Sequence, residues 1–325
     1  MITDAYRLID VTATPRLSVG LPVFNGERFL ARALNSLLGQ SFADFELIIS
    51  DNASTDGTPQ ICRYFAARDR RVRYYRSGEN LGASANFNHV VTRARGEYFK
   101  WAAHDDLCAP DYLKSCVGVL DRQPDVILCH TTSCAIDEQG KRRGILTRDN
   151  GGFDSETPAE RFDVLLNRPH FCLAVFGVMR TKELLRTPLL APYVGSDRNL
   201  LAELGLMGKI YVVPEVLFFR RDHADTSVAR FTGNEKGWLA WLDPTGKEEP
   251  AFPTTRCIEE HFRALERVAL LPEEQERCLA VLQRWVEQGR DYQGRVVSTQ
   301  LEKERREREI TAVQQPAFGG ECPTR

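Results

Sequence analysis

The sequence predicts an α/β protein with a mostly parallel central sheet flanked by helices. Two observations lead there. From Leu17 to Ala103, short apolar runs alternate with amphipathic helical patterns. Each apolar run also closes on a polar, turn-forming cluster, as parallel strands joined by helical crossovers do.

In order, "LSVGLPVF" reads as a buried strand and "GERFLARALNSLLGQ" as a helix with apolar Phe29, Leu30, Ala33, Leu34, Leu37 and Leu38. "FELIIS" is a second strand and "DGTPQICRYFAARD" a second helix; "VRYYR" and "GASANFNHVVTRAR" repeat the unit, and "EYFKWAA" is a fourth strand. Ala109-Pro110 opens the next helix, with proline in the first turn. After Gln123 the rhythm changes. "VILCHTTSCAID" is a strand running into a turn at Glu138-Gln139-Gly140, and "TPAERFDVLLN" is a helix capped by Thr157 with Pro158 at its first position. "CLAVFGVMR" reads as an apolar strand and "SDRNLLAELGLMG" as a helix capped by Ser196 or Asp197. "IYVVPEVLFFRR" reads as two strands broken by proline. The region around Trp238 and Trp241 reads as a loop, and the chain from Arg256 as helical. "LEKERREREI" is expected to be a solvated helix face and the last dozen residues a disordered tail. The expected organisation is an arm over 1–16, an α/β domain over 17–230 with halves 17–123 and 124–230, and a mainly helical extension over 231–325.

Composition bounds the function. The 325 residues are 42% hydrophobic and 27% charged with net charge −2, an ordinary globular balance that gives no reason to expect nucleic acid as a partner. No apolar run approaches the ~18 residues that span a bilayer. The first residues lack the basic flank and apolar core of a signal peptide. The 9 cysteines form no CxxC pair and read as buried, reduced thiols. A cytoplasmic location is expected, with peripheral membrane contact as the alternative.

The polar clusters carry the chemistry. The strands lead in turn into Asn25-Gly26, Asp51-Asn52, Asn80-Leu81-Gly82 and His104-Asp105-Asp106. In a parallel sheet these ends line one edge, where α/β proteins bind ligands. Singly, each is a turn or a cap; together they make a crevice. No GxGxxG or Walker lysine follows the first strand, so a glycine loop alone does not cradle phosphates. The adjacent acids Asp105 and Asp106 suit a divalent cation, Mn²⁺ or Mg²⁺, bridging carboxylates and a diphosphate.

With these motifs in place, "LSVGLPVFNGERFLARALNSLLGQSFADFELIISDNASTDGT", followed by "ENLGASANFN" and "AAHDDLCAPDYL", resembles the opening of the family 2 glycosyltransferases. The likeness runs from Leu17 to about Arg230 and is looser beyond Gln123. It implies the GT-A (Rossmann-like) fold and inverting transfer from a nucleotide-sugar, UDP-linked by preference, to a carbohydrate, lipid-linked or small-molecule acceptor. By that resemblance Pro22 and Val23 lie against the base through their backbone, and Asn25 and Glu27 line the nucleotide pocket. Asp51 bonds the base or ribose, and Asn80 and Gly82 close the base side. Asp105 and Asp106 correspond to the metal motif, Asp105 also touching the nucleotide-sugar. His223 approaches the metal or the diphosphate, and Arg220 and Arg221 neutralise diphosphate charge. Asp197 takes the place of the general base that an inverting transfer needs.

The chain departs from the family pattern in places. Ala103 stands where the commonest metal motif has a further acid, with His104 between, and Asn52 and Ser196 replace acids. Only "QRW" at Gln283 to Trp285 echoes the Q-x-x-R-W motif of membrane-bound synthases, and it reads as helix packing. Trp238 and Trp241 could pin the extension to the core or stack on an acceptor sugar. The C-terminal helices could join copies into a homo-oligomer. The competing readings are a nucleotidyltransferase and a non-catalytic nucleotide-sugar-binding protein.

Overall fold

The structure, a computed structural model, describes residues 14–232, 234–246 and 253–289. The expected disordered tail, the charged stretch from Leu301 and most of the N-terminal arm lie outside them.

The strands are β1 (Leu17–Val23), β2 (Phe45–Asp51), β3 (Val72–Arg76), β4 (Tyr98–Trp101), β5 (Leu107–Cys108), β6 (Val126–Ile136), β7 (Arg142–Leu146), β8 (Val178–Arg180) and β9 (Lys209–Arg221). The helices are α1 (Glu27–Leu38), α2 (Thr58–Ala66), α3 (Ala83–Thr92), α4 (Tyr112–Arg122), α5 (Pro158–Asn167), α6 (Thr181–Leu184), α7 (Ser196–Met207), α8 (Ser227–Phe231), α9 (Glu235–Leu242), α10 (Pro253–Arg267) and α11 (Pro272–Glu287). All strands join one sheet in the order β3-β2-β1-β4-β8-β6-β9-β5, with β7 on β6. β1, β2, β3 and β4 are mutually parallel. Beyond β4 the sheet is mixed: β8 is antiparallel to β4 and β6, whereas β9 is parallel to β6.

Strand alternation sorts the core onto two faces. Leu17, Val19, Leu21, Leu47 and Ile49 pack with Leu30, Leu34 and Leu37 of α1 and Leu113, Cys116, Val117 and Leu120 of α4. Ile48, Phe99 and Trp101 pack on the opposite face with Val90 of α3, and that cluster runs on through α5, α7, α10 and α11. Gly20 permits this closeness, since a Cβ there would lie 2.6 Å from Val90. The C-terminal helices are therefore bound into the same core as the second half. Trp285 is buried and donates from Nε1 to the carbonyl of Leu166 at 3.2 Å, so the QRW stretch serves packing.

Several local expectations need correction. "CLAVFGVMR" is a 3₁₀ turn at Leu173–Phe176 followed by the short β8, because Cys172 adopts a left-handed φ of 58° that no strand accommodates. Pro214 does not break β9: the partners step from Thr131–Val213 to Thr132–Val216, so Pro214 and Glu215 bulge out unpaired. The helix after Pro110 starts at Tyr112, with Asp111 in the capping position. Gly195, at φ 94°, caps α7, which leaves Ser196 and Asp197 inside its first turn. Trp238 and Trp241 lie on α9, ring centroids 5.5 Å apart, both packed on Phe231. The chain from Arg256 is helical as far as it is described, save for a short break between α10 and α11. The eight described cysteines are all buried and free. Among the described residues no helix is long and apolar enough to cross a membrane.

Candidate active site

The carboxyl ends of β1, β2 and β4 and the end of β9 meet at one edge. β5 brings this about. Its two residues pair antiparallel with Phe218 and Phe219, which carries the preceding His104-Asp105-Asp106 loop to the end of β9. There the Nε2 of His223 lies 2.9 Å from Oδ2 of Asp105, and the backbone N–H of Arg221 donates to Oδ1 of Asp106 at 2.8 Å. The His223 ring rests 4.8 Å from Phe29 of α1. His104 packs over Gly26, where a Cβ would lie 2.6 Å from its ring.

Electrostatics split the two acids. Burial would raise the Asp105 carboxyl, but the charge of His104 and the hydrogen bond from His223 outweigh it and hold it below the usual carboxylate range. Burial pushes Asp106 well above that range, reinforced by the Asp105 charge and only partly opposed by the Arg221 N–H, Arg220 and Lys100. Burial and a like-charged neighbour both disfavour the ionised form of Asp106, and positive charge brought to it would favour that form. The donor set fits a hard divalent ion in part: Asp105, Asp106 and His223 converge, yet among the described residues no three acidic, histidine or cysteine side chains are arranged to hold a metal by themselves.

The base side is built from amides. Asn52 donates from Nδ2 to Oδ1 of Asn80 at 2.8 Å and to the Gly82 carbonyl at 3.1 Å, and it accepts from the Leu81 N–H. Gly82 has φ 85°, and a Cβ there would collide with the Leu242 carbonyl and lie 2.6 Å from Pro244, so the end of α9 seats on this loop. Asn25, at φ 52°, accepts from the Thr55 N–H at 2.8 Å. Glu27 accepts from the Gly57 N–H that caps α2, while Asp56 returns the bond to the Glu27 N–H at 3.0 Å.

Three groups of expected site residues are bonded within the fold. Asp51 shares its side of β2 with Leu47 and Ile49 and is 0% exposed. Its oxygens accept from Ser54 N–H at 2.8 Å and the Tyr74 hydroxyl at 2.7 Å, which fixes the carboxylate at the end of β2. Val23 gives its carbonyl to the Asn52 N–H, and Pro22 is paired within the sheet; the residue that emerges there is Phe24, 40% exposed. Arg221 is buried, donating to the carbonyls of Asp105, Asp137 and Glu138, and staples the acidic loop to the β6–β7 turn. Arg220, on the opposite side of β9, is partly exposed and pairs with Asp222.

Asp197 is half-buried in the first turn of α7. The loop before it is moored to α3: Asn88 exchanges two hydrogen bonds with Leu190, and the Ser84 hydroxyl donates to the Ala191 carbonyl. From the other side, Asn199 donates to the Cys257 carbonyl of α10 at 2.9 Å and accepts from Tyr193 at 3.1 Å. Burial, reinforced by the nearby Asp197 charge, holds the Cys172 thiol well above its ordinary range. Sequence reading missed Asn199 and Cys172, whose roles depend on partners distant in the chain.

The model of glycosyl transferase family 2 matches residues 18–183, which is more than half of the chain. The chain belongs to glycosyl transferase family 2. An uncharacterized glycosyltransferase of Rickettsia typhi is 24% identical over 245 residues, covering 73% of this chain and 75% of that one. EpsE of Bacillus subtilis, described as a glycosyltransferase, is 35% identical over 129 residues, but the match spans 39% of this chain and only 46% of EpsE. Among solved structures, TarS 1-349 of S. aureus in complex with UDP has a TM-score of 0.54 at 16% identity, covering 95% of this chain and 94% of that one. The mannosyltransferase PcManGT of Pyrobaculum calidifontis, in complex with GDP-Man and Mn²⁺, has a TM-score of 0.50 at 18% identity, covering 96% and 78%. At these identities the structures establish the fold, which is GT-A. This family 2 glycosyltransferase is thus an enzyme of the transferase class.

Proposed function

We propose that the enzyme transfers a sugar from a nucleotide-diphosphate sugar, UDP-linked by preference, to an acceptor hydroxyl with inversion at the anomeric carbon. The observation that carries the proposal is the meeting of Asp105, Asp106 and His223 at the sheet edge from elements far apart in the chain. Two neighbours in fold are described with UDP-GlcNAc and with GDP-Man plus Mn²⁺, which supports a nucleotide-sugar at that edge.

Asp105, Asp106 and His223 would hold a divalent cation, the remaining ligands coming from the diphosphate. When bound, the cation supplies charge neutralisation for the departing nucleoside diphosphate. Arg220 adds positive charge at the border of that site; its field reaches both Asp106 and Asp149. Asn80, Gly82, Asn25 and the exposed Phe24 flank the nucleoside, while Pro22, Val23, Glu27 and Asp51 shape the pocket from behind. Asp197 takes the proton from the acceptor hydroxyl as that oxygen attacks. Its mooring to α3 and α10 fixes where the carboxylate stands, and general-base positioning is typically worth ~10²–10⁴ in rate.

The test is a donor screen, measuring diphosphate release and thermal shift across UDP-, GDP- and dTDP-sugars with Mn²⁺ or Mg²⁺. A metal-dependent shift with UDP-sugars is expected. A protein that no nucleotide-sugar stabilises, with either metal, contradicts the proposal.

A further inference from the structure

The geometry points to an acceptor that carries an anionic oxygen group, phosphate or carboxylate, held by Arg148 and Arg220 beside Phe171. The inference rests on the proposed transfer and concerns its acceptor side alone.

Phe171 is a large apolar side chain left 39% exposed. The Arg148 guanidinium lies 5.1 Å from its ring centroid and that of Arg220 5.5 Å. Phe171 is fixed in place. Buried Asp149 accepts from the backbone N–H of Phe171 at 3.0 Å and of Leu173 at 3.1 Å. His170 Nδ1 accepts from the N–H of Cys172, and Arg198 contacts His170 Nε2 at 3.0 Å. The platform adjoins the proposed chemistry on both sides. His170, on one side of Phe171, is contacted by Arg198, the neighbour of Asp197, and Arg220 precedes Arg221, whose N–H donates to Asp106.

Of the two guanidiniums, one is uncommitted. Arg220 already pairs with Asp222. Arg148 is exposed, and among the described residues it has no hydrogen bond or ion pair. A guanidinium with no protein partner has its N–H groups available, and its fork matches phosphate or carboxylate oxygens. A neutral sugar would instead be met by carboxylate and amide groups accepting from its hydroxyls. The anion could sit on a soluble sugar phosphate or uronic acid, or on a lipid.

The test uses the whole protein with Mn²⁺ and UDP bound, in parallel as wild type and Arg148→Ala. Binding of glucose 6-phosphate, glucuronate and glucose is measured by titration, and co-sedimentation with phosphatidylcholine vesicles is measured with and without phosphatidic acid. Either a soluble anion binding about tenfold or more tighter than glucose, or retention by the phosphatidic acid vesicles alone, is expected; Arg148→Ala should remove about tenfold of it, some 1.4 kcal/mol. The arm that responds names the source of the anion. Wild type that binds glucose as well as the anions and ignores anionic vesicles overturns the inference, as does anion binding that Arg148→Ala leaves intact. UDP affinity, read on the same samples, should be equal in both proteins. Absence of UDP binding in wild type would instead sink the proposed function.

Discussion

The imidazole of His223 and the carboxylate of Asp105 stand 2.9 Å apart although 118 residues separate them in the chain. The pairing of β5 with β9 and the bonds from Arg221 to the acidic loop bring them together. Asp106 is buried beside the charged Asp105, and Arg220 and Lys100 offset that repulsion only in part. That arrangement sets the first prediction.

Asp106→Asn keeps the shape and the oxygen that accepts from the Arg221 N–H. The fold should therefore survive, with a melting temperature close to wild type. UDP with Mn²⁺ at ~100 times its dissociation constant should stabilise wild type by about 2.7 kcal/mol. The variant should lose the metal-dependent part of that shift. A variant that keeps the full shift removes Asp106 from the cation site.

Gly82→Ala tests the seat of α9. The residue has φ 85°, and an added methyl would meet Leu242 and Pro244. Left-handed strain and collision together should destabilise the protein by ~1–3 kcal/mol. UDP affinity should fall with it, since the same loop flanks the proposed nucleoside site. Thermal melting and UDP titration on one preparation read both. An unchanged melting temperature would mean that the α9 segment yields freely.

Much of the first half was legible because each strand is a continuous apolar run and each helix has a clean stripe, as in β1 and α1. The sheet edge beyond it was not. Leu107–Cys108 is a strand only by virtue of β9, and nothing local in two residues announces it. The left-handed Cys172 turned an apolar run that reads as a strand into a 3₁₀ turn. At the site, the acid pair and His223 were readable as types, but their meeting depended on long-range pairing. At Asp51 the period-two face that buries Ile49 also buries the carboxylate. At Arg221 strand parity turns the side chain inward toward Phe29 and leaves Arg220 outside.

Acid should unfold the protein through its buried histidines. Burial pushes His130 down to about 4 and His261 to about 3; His170 falls to about 3 from burial and the nearby Arg198 charge. The unfolded chain takes up these protons near the ordinary value of 6.5, while the folded chain refuses them. Stability is therefore complete above pH 6.5 and falls as the pH drops from there toward 4, by about 1.4 kcal/mol per pH unit for each such site. His261 packs edge-on against Phe162 and Trp285, so His261→Phe keeps an aromatic ring at that place while removing the titrating group. Urea unfolding between pH 7 and 4.5 should show a slope shallower by about one site in the variant. An identical slope would remove His261 from the account.

The most direct test of the central claim is turnover by Asp197→Asn beside a donor-binding titration. Asparagine preserves the side chain's shape, and Gly195 rather than Asp197 occupies the capping position of α7, so stability should hold. With saturating donor and acceptor, turnover should fall by ~10²–10⁴ while UDP-sugar affinity stays within about threefold. Turnover that survives within about threefold would show that Asp197 is not the base. Donor binding that collapses with turnover would place Asp197 in the nucleotide site and contradict the division of the crevice.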